Sequence, residues 1–181
     1  MKALVLLADG FEESEALSPV DVMRRAGIDV RLLSIGTELL VVSSHGIKVV
    51  ADGLLSEHEG DYDVVMLPGG MPGSRNLDAS DAVRRLLTEA YNNGKLIAAI
   101  CAAPMVFGHL GFVKDRRVTV YPGFESEMEG AVLTGEQVVT DGNVITAIGA
   151  GASFAFGLEI IRSLMGDKTA FDIKNQIKLI S

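Results

Sequence analysis

Residues 95–104, Lys95-Leu96-Ile97-Ala98-Ala99-Ile100-Cys101-Ala102-Ala103-Pro104, constrain the fold of this chain more than any other stretch. Leu96 to Ile100 is an unbroken apolar run, the pattern of a strand buried on both faces of a parallel sheet. The run then passes through the only cysteine into Ala-Ala-Pro and an apolar segment ending near His109. Proline suits the first turn of a helix, where its missing N–H costs nothing. Cys101 is therefore expected at a sharp strand-to-helix turn, the cysteine counterpart of a nucleophile elbow. There the free N–H groups and partial positive charge of a helix N-terminus would favour the thiolate, the nucleophilic form. A small buried hydrophobe is the other reading of a lone cysteine in an apolar run.

Around this segment, strands alternate with helices. Residues 2–8 read as a buried strand, Asp9-Gly10-Phe11 as a turn, and Glu13 to Arg25 as a helix stopped by Gly27. Residues 28–35 form a second strand. Leu39–Val42 and Ile47–Val50 flank Ser43-Ser44-His45-Gly46 as a hairpin or two short edge strands. Asp63–Leu67 is a strand running into Pro68-Gly69-Gly70-Met71-Pro72-Gly73, and Asp81–Asn92 is a helix with Ser80 as N-cap. Strands are expected at Arg117–Tyr121 and Ala131–Leu133, and a hairpin at 137–148 around Asp141-Gly142-Asn143. Helices close the chain at Phe154–Met165 and, weakly amphipathic, at Thr169–Ile177. The pattern predicts an α/β sandwich with a mainly parallel sheet, as a single domain over 1–181. Sites in such sheets lie beyond the carboxyl ends of the strands. That brings together Cys101, the loop after strand 63–67 and the loop after strand 2–8.

Composition narrows the function. A net charge of −8 argues against nucleic acid or an anionic membrane as partner. One cysteine forms no internal disulfide, so a reducing cytoplasm is expected. The apolar N-terminus is too short to span a bilayer, and Asp9, Glu12 and Glu13 follow it without a cleavage pattern, which reads as a first strand and not a signal peptide. Three scattered histidines and one cysteine make no metal-ligand spacing, and no cofactor motif is present.

The candidate site follows residue by residue. Gly69 and Gly70 allow close backbone approach, and their N–H groups, with that of Ala102, would form an oxyanion hole beside Cys101. A plain tight turn explains the same glycines. Glu12 and Glu13 need only complement the helix dipole. Glu15 differs, because Pro19 four residues on removes the N–H that would bond its carbonyl, so the helix should distort there. A carboxyl crowded against a thiolate would stay protonated and shuttle a proton. His45 is either a solvated turn residue or a site lining. His58 reads as surface, His109 as a capping or core residue, and Arg24 and Arg25 as solvent or dimer-face charges.

Four blocks, Glu12-Glu13-Ser14-Glu15…Pro19 to Gly27, Asp61 to Gly70, Ala98 to Pro104, and Gly151-Ala152-Ser153-Phe154, resemble the ThiJ/PfpI family in order and spacing. The resemblance is to its parkinsonism-associated protein deglycase branch, within the class I glutamine-amidotransferase-like superfamily. It implies a flavodoxin-like three-layer α/β/α sandwich, a homodimer, Cys101 as the reactive cysteine and Glu15 as its partner. Gly70 and Ala102 match the backbone donors of the oxyanion site. The implied chemistry is glutathione-independent glyoxalase or protein deglycase action on small reactive carbonyls. One departure stands out: the histidine that this branch carries twenty residues after the cysteine is Tyr121 here. The protease-like branch has histidine directly after the cysteine, where this chain has Ala102, and no histidine follows His109. A Cys-His dyad therefore lacks its second member, which implies weakened or altered activity. The other function open to an accessible thiol beside a carboxyl is redox sensing or chaperone-like stress protection through oxidation of Cys101.

Overall fold

A computed structural model describes residues 1–179. It contains eleven strands and six α-helices in these residues. In chain order they are β1 (Lys2–Leu7), α1 (Glu13–Arg25), β2 (Asp29–Ser34), β3 (Leu40–Val42), β4 (Lys48–Val50), β5 (Gly53–Leu54), β6 (Val64–Leu67), α2 (Gly73–Ala79), α3 (Asp81–Asn92), β7 (Leu96–Ile100), α4 (Pro104–His109), β8 (Arg117–Val118), β9 (Val132–Leu133), β10 (Val138–Asp141), β11 (Val144–Ala147), α5 (Ser153–Met165) and α6 (Asp167–Gln176).

The main sheet has seven strands in the order β10-β11-β7-β6-β1-β2-β5. All its pairs are parallel except β10 with β11, the hairpin that the Asp-Gly-Asn turn predicts. The unbroken apolar run of β7 is explained by its place between β11 and β6, with helices over both faces. Pleating sends alternate residues to opposite layers. Ala3, Val5 and Leu7 of β1 join Val22, Met23, Phe156 and Ile160 of α1 and α5, whereas Leu4 and Leu6 join Leu77, Leu87 and Phe107 of α2, α3 and α4. This is the flavodoxin-like three-layer sandwich, with a mainly parallel sheet between two helical layers.

Most expected elements stand within one or two residues of their predicted bounds. Two differ. The strand expected at Arg117–Tyr121 keeps only two ladder residues, because the Thr119 N–H donates to Thr146 Oγ1 and the Tyr121 N–H to the Cys101 carbonyl, which take that backbone out of a ladder. It pairs with β9 as a separate two-stranded sheet. Helix α2 was hidden by the Pro-Gly-Gly-Met-Pro-Gly run, since Leu77 is its only large apolar residue. Helix α1 has the expected bounds, Glu13–Arg25, with Pro19 buried inside it.

The layer formed by α1 and α5 is closed by Gly157. A Cβ there would lie 2.5 Å from Val22 Cγ2 and 2.8 Å from Pro19 Cα. Helix propensity favours alanine over glycine by about 1 kcal/mol, but overpacking against a neighbouring backbone costs roughly 1–3 kcal/mol. Gly157→Ala is therefore expected to destabilise the protein, against its propensity, by on the order of 1–2 kcal/mol in urea unfolding. A gain in stability would contradict close α1–α5 contact.

Candidate active site

The carboxyl ends of β1, β6 and β7 are adjacent in the sheet, and each feeds one part of the site. Directly after β7, Cys101 adopts φ 65°, a left-handed conformation uncommon for a residue with a Cβ. Its backbone is tied on two sides: the N–H donates to Ala147 O at 2.8 Å, and the carbonyl accepts from Tyr121 N at 2.9 Å. Cys101 is partly exposed, and its sulfur faces the backbone N–H groups of Ala102 and Gly70 and the carboxyl of Glu15.

Glu15 stands in the first turn of α1 and is 1% exposed. Its Oε2 accepts the Gly69 N–H at 3.0 Å. Gly69 cannot be another residue without moving the site, because a Cβ would lie 2.5 Å from Glu15 Oε2 and 2.7 Å from Cys101 Cβ. The next residue, Gly70, has φ 88° and brings its backbone against Glu12 and Gly10. Glu12, expected only to complement the dipole, does more. Its Oε2 accepts the Glu15 N–H at 2.6 Å, capping α1, and its own N–H donates to Gly69 O at 2.9 Å. A glutamate before an Asx-free helix start gave no cap signal in the sequence, since the preferred caps are Ser, Thr, Asp and Asn.

Burial raises the Glu15 carboxyl to about 7, aided by the nearby Glu12 charge and opposed by its bonds to Cys101 and Gly69. Burial also pushes the Cys101 thiol up to about 12, together with the charge of Glu15 and its hydrogen bond; the N–H groups of Ala102 and Gly70 pull it back only in part. The lowered thiol expected from the helix N-terminus is thus reversed, because desolvation and a neighbouring carboxylate outweigh two amide donors. The two groups share one hydrogen bond, so the pair gives up one proton around neutrality and holds the second well above it. When that proton sits on Glu15, the like charge is gone and the two N–H groups favour a thiolate. Proton position within the pair therefore decides whether Cys101 is a nucleophile.

The remaining expected residues scatter. His45, 67% exposed, pairs through Nδ1 with Glu13 Oε1 at 2.9 Å, not with Glu15 or Cys101. Burial opposes the Glu13 charge, but its own N–H, His45 and Ser43 hold its carboxyl below the usual range. Tyr121 reaches Cys101 through its backbone; the residue is 48% exposed and its ring lies against Gly149, where a Cβ would be 3.3 Å from Cδ2. Arg24 pairs with Asp52 and Arg25 with Asp21, both exposed. His58 is half-buried, and His109 is held between two carboxylates. Glu12, Glu13 and His45 each bring one ligand atom within 4.8 Å of the others, the one such group among the described residues. Glu12 Oε2 in this group already accepts from Glu15 N, and Glu13 Oε1 is paired with His45. A cavity of about 390 Å³ beyond β1 and β2, lined by Asp9, Ser34, Gly36 and Asn76 among others, includes neither Cys101 nor Glu15.

Comparison with known proteins agrees with the fold. The model of the DJ-1/PfpI family matches residues 1–163. The Parkinson disease protein 7 homolog of Danio rerio is 41% identical over 178 residues, covering 96% of this chain and 94% of that protein. A cysteine-to-alanine mutant of a DJ-1 superfamily protein from Salmonella typhimurium superimposes with a TM-score of 0.95 at 38% identity, covering 99% of each chain. Toxoplasma gondii DJ-1, solved oxidized, superimposes with a TM-score of 0.95 at 34% identity, again over 99% of each.

Ionising Glu15 in the fold costs stability. Its unfolded value is near 4.5 and its folded value about 7, so folding binds an extra proton between them. The Glu15 contribution to stability is constant below pH ~4.5 and falls by roughly 3 kcal/mol by the time pH passes 7. Glu15→Gln should remove that slope in urea unfolding measured from pH 4 to 8. An unchanged slope would mean that Glu15 is not the buried acid.

Proposed function

Since the chain belongs to the DJ-1/PfpI family of stress-response proteins, we propose that it is a cysteine-dependent enzyme acting on small reactive carbonyls, of the glutathione-independent glyoxalase or deglycase type. The observation that carries this reading is the buried Glu15 carboxyl bonded to both Gly69 N–H and the Cys101 thiol. A base near pKa 7 in contact with a nucleophile is matched to proton transfer at neutral pH. Glu15 takes the thiol proton as Sγ bonds to the aldehyde carbon of a 2-oxoaldehyde such as methylglyoxal. The carbonyl oxygen becomes an oxyanion held by the Gly70 and Ala102 N–H groups and is protonated, giving a hemithioacetal. Glu15 then moves the proton on that carbon to the adjacent carbonyl carbon while the new hydroxyl's proton passes to that carbonyl's oxygen, leaving a thioester of a 2-hydroxy acid. Water hydrolyses the thioester, returning the thiol. The sum is methylglyoxal plus water to lactate, with no outside oxidant or cofactor.

In this reading Tyr121 stands where the resemblance expects a histidine, and a phenol offers no basic ring nitrogen to the reaction. We read the protein as a single domain over 1–181, a homodimer and cytoplasmic. Leu40 and Val50, opposite each other on the β3–β4 hairpin, are both exposed, as are Leu39 and Ile47, which supports an apolar contact between two copies. No described helix is long and apolar enough to cross a membrane. A second reading, oxidation of Cys101 as a sensor without significant turnover, is favoured by the oxidized Toxoplasma gondii relative and by a carboxyl poised to donate to an oxidised sulfur.

Lactate formation from methylglyoxal without glutathione tests the enzyme reading. Wild type should turn over; Cys101→Ser and Glu15→Gln should each lose at least about 100-fold in kcat/KM, and Tyr121→His should gain on the order of tenfold. No turnover above background, with Cys101 readily oxidised by peroxide in mass spectrometry, would sink it and favour the sensor. In sedimentation, Val50→Asp is expected to shift a wild-type dimer towards monomer; a wild-type monomer would refute the homodimer.

A further inference from the structure

The β6 and β7 ends of the site are followed by α2 and α4, and these two helices meet at a cluster that the chemistry above does not use. His109, the last residue of α4, places Nδ1 2.9 Å from Asp78 Oδ2 and Nε2 2.8 Å from Glu127 Oε2. A neutral imidazole has one N–H, so it can donate to only one of two carboxylates. Serving both requires the imidazolium. The bond to Glu127 raises the His109 pKa most, burial opposes it, and Asp78 raises it further. Arg84 of α3 bonds the other Asp78 oxygen at 3.0 Å, which fixes that carboxylate.

Glu127 ends a short 3-10 turn, Glu125–Glu127, whose backbone rests directly on α4: a Cβ at Gly108 would lie 1.9 Å from Glu127 O. From there a chain of backbone hydrogen bonds runs back to the site. Glu127 N donates to Phe124 O at 3.1 Å, Phe124 N to Tyr121 O at 3.1 Å, and Tyr121 N to Cys101 O at 2.9 Å. The cluster therefore anchors the far end of the loop whose near end holds the Cys101 carbonyl.

We propose that the His109 imidazolium, bonded at once to Asp78 and Glu127, is a positioning residue that clamps the Tyr121–Glu127 loop onto the Cys101 turn, and that its deprotonation loosens that wall of the site. The functional weight of the clamp rests on Cys101 being the reactive centre. A residue with a raised folded pKa contributes fully below its unfolded value, ~6.5 for histidine, and loses that contribution as pH rises through the folded value. Loosening is thus expected on the alkaline side.

The test reads amide hydrogen exchange at Tyr121 and Phe124, corrected for intrinsic rates, and alkylation of Cys101 by iodoacetamide, from pH 6 to 9.5. Neither readout needs turnover, so failure of the glyoxalase reading and failure of the clamp are separable. His109→Gln should speed exchange at both amides roughly three- to tenfold at pH 6–7. His109→Lys, which keeps a cation across this range, should hold wild-type exchange and abolish its rise with pH. Glu127→Gln, a change on an exposed turn, should resemble His109→Gln and guards against a folding defect in the latter. Exchange in His109→Gln within twofold of wild type, or His109→Lys as loose as His109→Gln, would overturn the proposal.

Discussion

A carboxyl that is 1% exposed must find a donor or stay neutral. Glu15 does some of each: it accepts the Gly69 N–H and keeps an affinity for protons up to about pH 7. Much of the local structure exists to permit that one contact. Gly69 has no side chain because its Cβ would occupy the carboxylate, Gly70 is left-handed because its backbone must turn against Glu12, and Glu12 caps the helix that presents Glu15. The left-handed Cys101 then aims its sulfur at the same carboxyl while β11 and the Tyr121 loop fix its backbone. Backbone strain of this kind, of order 1–3 kcal/mol, persists only where the surroundings over-determine it.

The consequence is chemical. Two acids that share a buried contact cannot both ionise near neutrality. One proton remains between them, and moving it from sulfur to carboxyl makes the nucleophile without adding a second charge. Amide donors at the sulfur lower the cost of that move, and they lie where an adduct's oxyanion would form. The sandwich positions these groups by placing the ends of β1, β6 and β7 side by side. The helices that follow those strands continue into the supporting layer, where Gly108 and His109 secure the loop over the cysteine.

How much of this was legible in the sequence depended on how local each signal was. The β7–Cys101–Pro104 run disclosed a buried strand, a sharp turn and a helix start, because apolar continuity and proline act over a few residues. Glu15 and Gly69 were nameable as site residues, and the structure brings them together. The direction of the thiol shift was not legible: it depends on how deeply Cys101 and Glu15 are buried together, a tertiary quantity. The same holds for Glu12 as a cap, for α2 behind its glycine and proline run, and for His109 between carboxylates from α2 and a distant turn. For His45 the sequence left a solvated turn residue and a site lining open, and only the fold shows it exposed and paired with Glu13.

The most direct test of the shared proton is infrared difference spectroscopy of the protein against Cys101→Ser and Glu15→Gln, following the S–H stretch of Cys101 and the protonated C=O stretch of Glu15 at pH 8–9. The account predicts that at least one of the two bands persists, the pair still holding a proton well above the range of either free carboxyl or lowered thiol. Loss of both bands by pH 8 would mean that carboxylate and thiolate coexist, and would contradict it.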